Sequence, residues 1–218
     1  MSRLQQTIFG IAALTLVCAF VASQPGVRSR PSEETTTEVD FSQKHLATAE
    51  MIAKSRSLAG KPAFPFQAKC GDGNLYSLNA LLASRPVVLV FIKDGCPCSK
   101  AAQPYFNKLY LAAGGRVDFL GIIDGDESVA ARWASENATR FPVLADPEKS
   151  IIHAFEAPNS AYSALIDRGG TIQTLWAGYS VEMIHELSSA MARLTGALIA
   201  PVDVTDAPES LYSGCPFD

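Results

Sequence analysis

Cys96-Pro97-Cys98-Ser99 stands between an apolar run, Pro86 to Ile92 (PVVLVFI), and a stretch of helical apolar spacing from Lys100 to Ala113. A cysteine attacks as thiolate, and the first turn of a helix favours that form, because its N–H groups lack partners and its dipole is positive there. Cys96 and Cys98 are therefore the candidate catalytic residues, and the spacing leaves open which sulfur attacks. Pro97 fits the first helical position, where a missing N–H costs nothing and φ is already near helical. Pro97 and Ser99 are read as residues supporting the helix start. Pro104, inside the helical stretch, is expected to kink it.

Thiol redox chemistry needs a second sulfur. Two residues apart on an ideal helix, side chains diverge by about 200° although their Cα atoms are only about 5.5 Å apart. A Cys96–Cys98 bond therefore requires Cys96 to leave helical geometry, and the strained ring would be reactive rather than structural. Cys215, in a C-terminal tail expected to be flexible, is the leading candidate for the resolving thiol, within the chain or across a dimer. Cys70, beside Gly71 and Gly73 on a turn, is a weaker one. The competing bland reading pairs the four cysteines beyond the N-terminal segment into two structural disulfides.

The elements that must hold these sulfurs follow from the pattern. Phe41 to Leu58 has near-helical apolar spacing, and Phe64 to Leu78 fits two short strands around a Gly-rich turn. Pro86 to Ile92 is apolar on both faces, as a central strand covered by helices is. Val117 to Ile123, Glu127 to Asn137, Phe141 to Leu144 and Lys149 to Phe155 continue as strand, helix, strand and helix, which implies parallel pairing with right-handed crossovers. Ala161 to Ile166 and Thr171 to Ala177 flank Asp167-Arg168-Gly169-Gly170, a hairpin signature. Residues 182 to 195 read as a closing helix and Gly196 to Asp218 as irregular. Trp133 and Trp176 are assigned to the core.

The chain has 218 residues, with 18 Lys+Arg against 22 Asp+Glu, a net charge of −4. No basic face is available, so nucleic acid is excluded as a partner. At the amino end, Arg3 precedes an uncharged run from Ile8 to Ala22 that is followed by Ser23, Gln24 and Pro25. This is the layout of an export signal cut after Ser23. The rival is an uncleaved membrane tether, although 15 residues cover only about 22 Å of a roughly 30 Å hydrocarbon core. The expected organisation is a signal or anchor over 1–23, a polar spacer with a short helix over 24–57, a folded domain over 58–196 and a tail over 197–218. An exported chain belongs to the periplasm or cell envelope, where disulfides persist.

The segment FIKDGCPCSKAAQPYF resembles the active-site segment of thioredoxin-fold proteins, in which a cysteine pair begins a helix and a proline follows the first cysteine by eight positions. GIIDGDESVAARWASENATRFPVLADPEKSIIHAF with ALIDRGGTIQTLWAGY is similar to the redoxin branch, which contains the AhpC/TSA peroxiredoxins and the exported thiol:disulfide reductases. The resemblance covers roughly residues 58 to 196. It implies an α/β thioredoxin-like fold, with a central mixed β-sheet flanked by helices and an N-terminal β-hairpin extension. The implied activity is that of a thiol oxidoreductase acting on a protein disulfide or a peroxide, with an external thiol as reductant and no cofactor. Counted from Cys96, Ser99 stands where the second cysteine of a CxxC pair falls. Aligned on the peroxiredoxin-like KDxTPGCTxEA pattern, Cys98 takes the peroxidatic position instead. The proline that precedes the late strand in thioredoxins falls at Ala161, and the segment APNSAYSA carries no arginine of the peroxiredoxin kind. No resident metal is assigned. The alternative to an enzyme is a non-catalytic redoxin-like module, or a Cu(I) carrier using Cys96 and Cys98 with His153 or His185, as the copper-delivery branch of the fold uses two cysteines and a histidine.

Overall fold

The computed structural model describes residues 45–218. The expected export segment and most of the spacer lie outside the described residues. Among the described residues no helix is long and apolar enough to cross a membrane.

The chain runs α1 (Ala49–Arg56), β1 (Gln67–Lys69), β2 (Leu75–Ser77), α2 (Leu78–Leu82), β3 (Val87–Ile92), α3 (Pro97–Ala113), β4 (Asp118–Ile123), α4 (Glu127–Glu136), β5 (Val143–Ala145), α5 (Ser150–Ala154), β6 (Ser163–Ile166), β7 (Ile172–Trp176) and α6 (Val181–Thr195). β1 and β2 form the expected antiparallel hairpin, and the other strands make one mixed sheet ordered β5-β4-β3-β6-β7. β3 pairs parallel to β4 and antiparallel to β6.

β3 is buried at every position, and its alternation shows why. Val88, Val90 and Ile92 join a core with α3, α4 and α6, while Val87, Leu89 and Phe91 join a second core with α2 and α5. A strand with two apolar faces needs cover on both, and the crossover helices supply it. The centre of the sheet therefore delivers its carboxyl end, and the cysteines behind it, to a fixed place.

Three expectations need correction. The first helix is shorter than Phe41 to Leu58: it starts after Thr48, whose Oγ1 accepts a hydrogen bond from the Met51 N–H (3.2 Å). α2 was not foreseen, because its five residues are too few to show a period and Leu78 reads equally well as the end of a strand. The tail carries no helix or strand of its own, yet it is not a loose end. Tyr212 exchanges both backbone hydrogen bonds with Tyr179 (2.9 and 3.0 Å), and Phe217 is buried. Its pairing partners come from distant parts of the chain, so no local period announces them. Meanwhile α3 continues through Pro104 to Ala113.

The fold contains one buried carboxylate with a clear task. Asp146, 3% exposed, accepts from the N–H groups of Ile151 (3.0 Å) and Ile152 (2.9 Å) and from the Ser150 hydroxyl (3.0 Å), and so caps α5 from outside it. Asp146→Ala leaves two buried donors unpaired and is expected to cost about 3 kcal/mol, read as a lower urea midpoint at unchanged m-value.

Candidate active site

After Ile92 the chain turns through Lys93, Asp94 and Gly95, with Gly95 at φ +71°. The turn is pinned from three sides. The Ser99 hydroxyl accepts from the Lys93 N–H (3.2 Å), the Cys96 N–H donates to the Lys93 carbonyl (3.3 Å), and the Asp94 N–H donates to Asp124 Oδ1 (2.8 Å). Arg132 closes the rim through the Asp94 carboxylate (2.7 Å).

Cys96 is the N-cap of α3, extended at φ −81° and ψ 120°, and Pro97 occupies the first turn. Its carbonyl accepts the first helical bond, from Lys100 (3.2 Å), while its side chain accepts no capping bond from the helix backbone. The sulfur is instead ringed by side-chain donors and by a backbone N–H from the tail. The Ser160 hydroxyl lies 3.3 Å from Cys96 Sγ, the Cys215 N–H donates to it at 3.2 Å, and the thiols of Cys98 and Cys215 also point to it. Both Cys96 and Cys98 are 2% exposed.

These donors set the electrostatics. The Cys98 thiol is the largest cause holding Cys96 far below the ordinary thiol range; burial opposes it, and the Cys215 thiol, the Ser160 hydroxyl and the Cys215 N–H add to it. A thiolate surrounded by donors is the stable form even out of water. Cys215 moves the other way. Burial pushes it up first, then its role as donor to Cys96 and the charge there, while Lys93 pulls it down. The pair thus divides into an ionised sulfur and a protonated one. Beneath them Tyr179, buried and stacked on Tyr105 (6.2 Å between centroids), has a hydroxyl without a hydrogen-bond partner. Burial, and next the neighbouring Cys98, holds that phenol protonated.

Sequence reasoning put the activation in the amino end of the helix; the atoms in contact with the sulfur belong mostly to Ser160 and to the tail. Ser160 was missed. It precedes Ala161, which adopts φ +60° and donates its N–H to the Phe91 carbonyl (2.8 Å), fixing the Ser160 hydroxyl over Cys96. A left-handed non-glycine residue costs energy and persists only where its surroundings hold it. The signal available was its position, the residue just before the expected proline.

Cys70 does not join the cluster. It sits on the hairpin and bridges to Leu144 of β5, two strands away from β3, and burial pushes its thiol up. All four described cysteines are free in this structure. His153 and His185 are exposed on α5 and α6, and among the described residues no group of three His, Cys, Asp or Glu side chains is arranged to hold a metal ion. The histidine that the Cu(I) alternative calls for is therefore not among the partners of Cys96.

Among curated proteins, no sequence matches this chain. Solved structures do. A secreted disulfide oxidoreductase of Mycobacterium tuberculosis, homologous to Escherichia coli DsbE, is 25% identical over 59% of this chain and 96% of its own, with a TM-score of 0.51. DsbF from the same organism is 23% identical (60% and 95% covered, TM-score 0.52), and its peroxidoxin BcpB is 20% identical (62% and 96%, TM-score 0.55). The model of the AhpC/TSA family matches residues 59–175, more than half of the chain, and stops before the C-terminal tail. The chain belongs to the AhpC/TSA family and has its thioredoxin-like fold.

Proposed function

We propose that the chain is a thiol oxidoreductase in which the Cys96 thiolate attacks and Cys215 resolves. The observation that carries this reading is the convergence of the Ser160 hydroxyl, the Cys215 N–H and two thiols on Cys96 Sγ. With a disulfide, the Cys96 sulfur bonds to one substrate sulfur and the other leaves as thiolate with the bonding pair. Cys215 then passes its proton to that leaving thiolate and, as a thiolate, attacks the Cys96 sulfur of the mixed disulfide, displacing the second substrate sulfur, which departs as a thiolate with the bonding pair. The substrate gains two electrons and the protein ends with a Cys96–Cys215 disulfide. With a peroxide, the outer oxygen is transferred with its hydrogen to Cys96 as sulfenic acid while the O–O bond breaks, and the alkoxide or hydroxide that leaves takes a proton from solvent; Cys215 condenses with the sulfenic acid and releases water. An external dithiol restores both thiols. Cys98 serves as a donor to the attacking sulfur, and Pro97 and Ser99 fix the turn. The N-terminal segment sends the chain to the cell envelope.

The test is the pH dependence of Cys96 ionisation, by iodoacetamide labelling located by mass spectrometry and by ultraviolet thiolate absorbance. Half-ionisation is expected well below about 8.5, the value of an unperturbed thiol, and a half-point at that value overturns the reading.

A further inference from the structure

From Gly214 to Phe217 the tail lies extended along the residues that carry Ser160. The Gly214 N–H donates to the Ser160 carbonyl (2.8 Å), the Ser160 N–H to the Cys215 carbonyl (3.0 Å) and the Phe217 N–H to the Pro158 carbonyl (3.0 Å). Asn159 Nδ2 adds a bond to the Gly214 carbonyl (2.7 Å). Ser213, Cys215 and Phe217 point alternately inward with the period of a strand: Cys215 meets Cys96, and Phe217, 3% exposed, enters the core that contains Phe155 and Ala157. Two lysines clamp the outer edge, Lys93 on the Pro216 carbonyl (2.6 Å) and Lys149 on the Phe217 carbonyl (2.8 Å).

The contacts are of two kinds. The backbone ladder reads any extended chain, and the inward pockets read a cysteine with a large apolar residue two positions later. We infer that the strap is a tethered stand-in for the substrate, and that the groove formed by residues 158–160, Lys93 and Lys149 receives an extended, cysteine-bearing polypeptide whose disulfide Cys96 attacks. This rests on the function proposed above and names its substrate class, a protein disulfide rather than a small peroxide. The strap must leave before such a chain binds, so the reduced enzyme restrains itself: apparent affinity falls in proportion to the fraction of molecules with the groove open.

Gly214 offers the means to test it. A Cβ there would meet Ser160 Oγ, and the Ser160 carbonyl carbon and oxygen at 2.8 Å, so Gly214→Ala prevents the strap from seating. The probe is a synthetic peptide of residues 209–218 whose cysteine carries thionitrobenzoate as a mixed disulfide. On attack the Cys96 sulfur bonds to the peptide sulfur and thionitrobenzoate leaves with the electron pair, giving a coloured signal. Gly214→Ala in the full chain is expected to react with this probe about tenfold faster than wild type. The Phe217→Ala form of the probe should react more slowly, and the Cys215→Ser form of the peptide should compete with the probe but not with hydroxyethyl disulfide. Equal acceleration for hydroxyethyl disulfide without peptide competition means a mere lid and overturns the inference, as does no acceleration at all. If Gly214→Ala does not fold, Phe217→Ala in the full chain, which removes the strap's apolar anchor and leaves the groove intact, gives the same readings. A wild-type Cys96 whose half-ionisation lies at the ordinary thiol value identifies failure of the proposed function instead, since that measurement involves no substrate chain.

Discussion

Cys96→Ser is expected to abolish turnover of disulfide substrates, a loss of about 10³-fold or more, because the sulfur that the surrounding donors hold ionised is gone. Cys70→Ser, on the far hairpin, should leave turnover unchanged. Ser160→Ala should keep the nucleophile but remove one charge-assisted hydrogen bond, raising the half-ionisation point by about one pH unit. Stability supplies an independent reading of the same sulfur. The folded Cys96 is held below its unfolded value, so between the two the unfolded chain binds a proton that the folded chain does not. The thiolate's contribution to stability is fully present above about 8.5, the unfolded value, and is lost as pH falls through the depressed folded one. Urea unfolding across that window should therefore slope upward with pH in wild type and be flat in Cys96→Ser. A Cys96→Ser protein that still turns over disulfides at wild-type rate removes Cys96 from the chemistry.

The parts of this site that could be read in advance are those built by local sequence. β3 announces itself because both of its faces are apolar, and α3 because Cys96-Pro97 is followed by apolar spacing that ends at Gly114, a left-handed cap at φ +56°. The order β3-α3-β4-α4-β5 then follows from connection rules, and with it the position of the cysteines at the carboxyl end of the sheet. What could not be read is what comes to Cys96 from far along the chain. Ser160 is 64 residues away and its approach depends on the left-handed turn at Ala161; the Cys215 N–H is 119 residues away. A pattern of three prolines without a period predicts looseness, but it is blind to a tail whose hydrogen bonds are supplied by Pro158, Ser160 and Tyr179. Gly178, at φ +153° with the Tyr212 carbonyl where its Cβ would be, and Gly214 are the sequence's only local trace of that packing, because each leaves room for another backbone.

Cys215→Ser is expected to convert a turning-over enzyme into one that stops after a single attack. Cys96 would still displace one sulfur of the substrate, since Ser160 and the Cys98 thiol continue to stabilise it and the residue at 215 keeps its N–H. The second displacement would then lack its thiol, and the mixed disulfide should persist as a species of one substrate chain per protein, seen by mass spectrometry and released by added dithiol. Cys98→Ser distinguishes the rival. If Cys98 resolves, the trap appears in that variant and Cys215→Ser turns over normally. Geometry favours the tail: Cys98 sits in the first turn of the rigid α3, only two residues on, so its bond to Cys96 closes a small strained ring, whereas Cys215 approaches on an extended strand that can yield. The same strand has to lift for substrate and return to release it. Its hold is therefore a few backbone bonds and two lysine clamps at the surface, with one apolar anchor in Phe217, rather than a helix packed on the core.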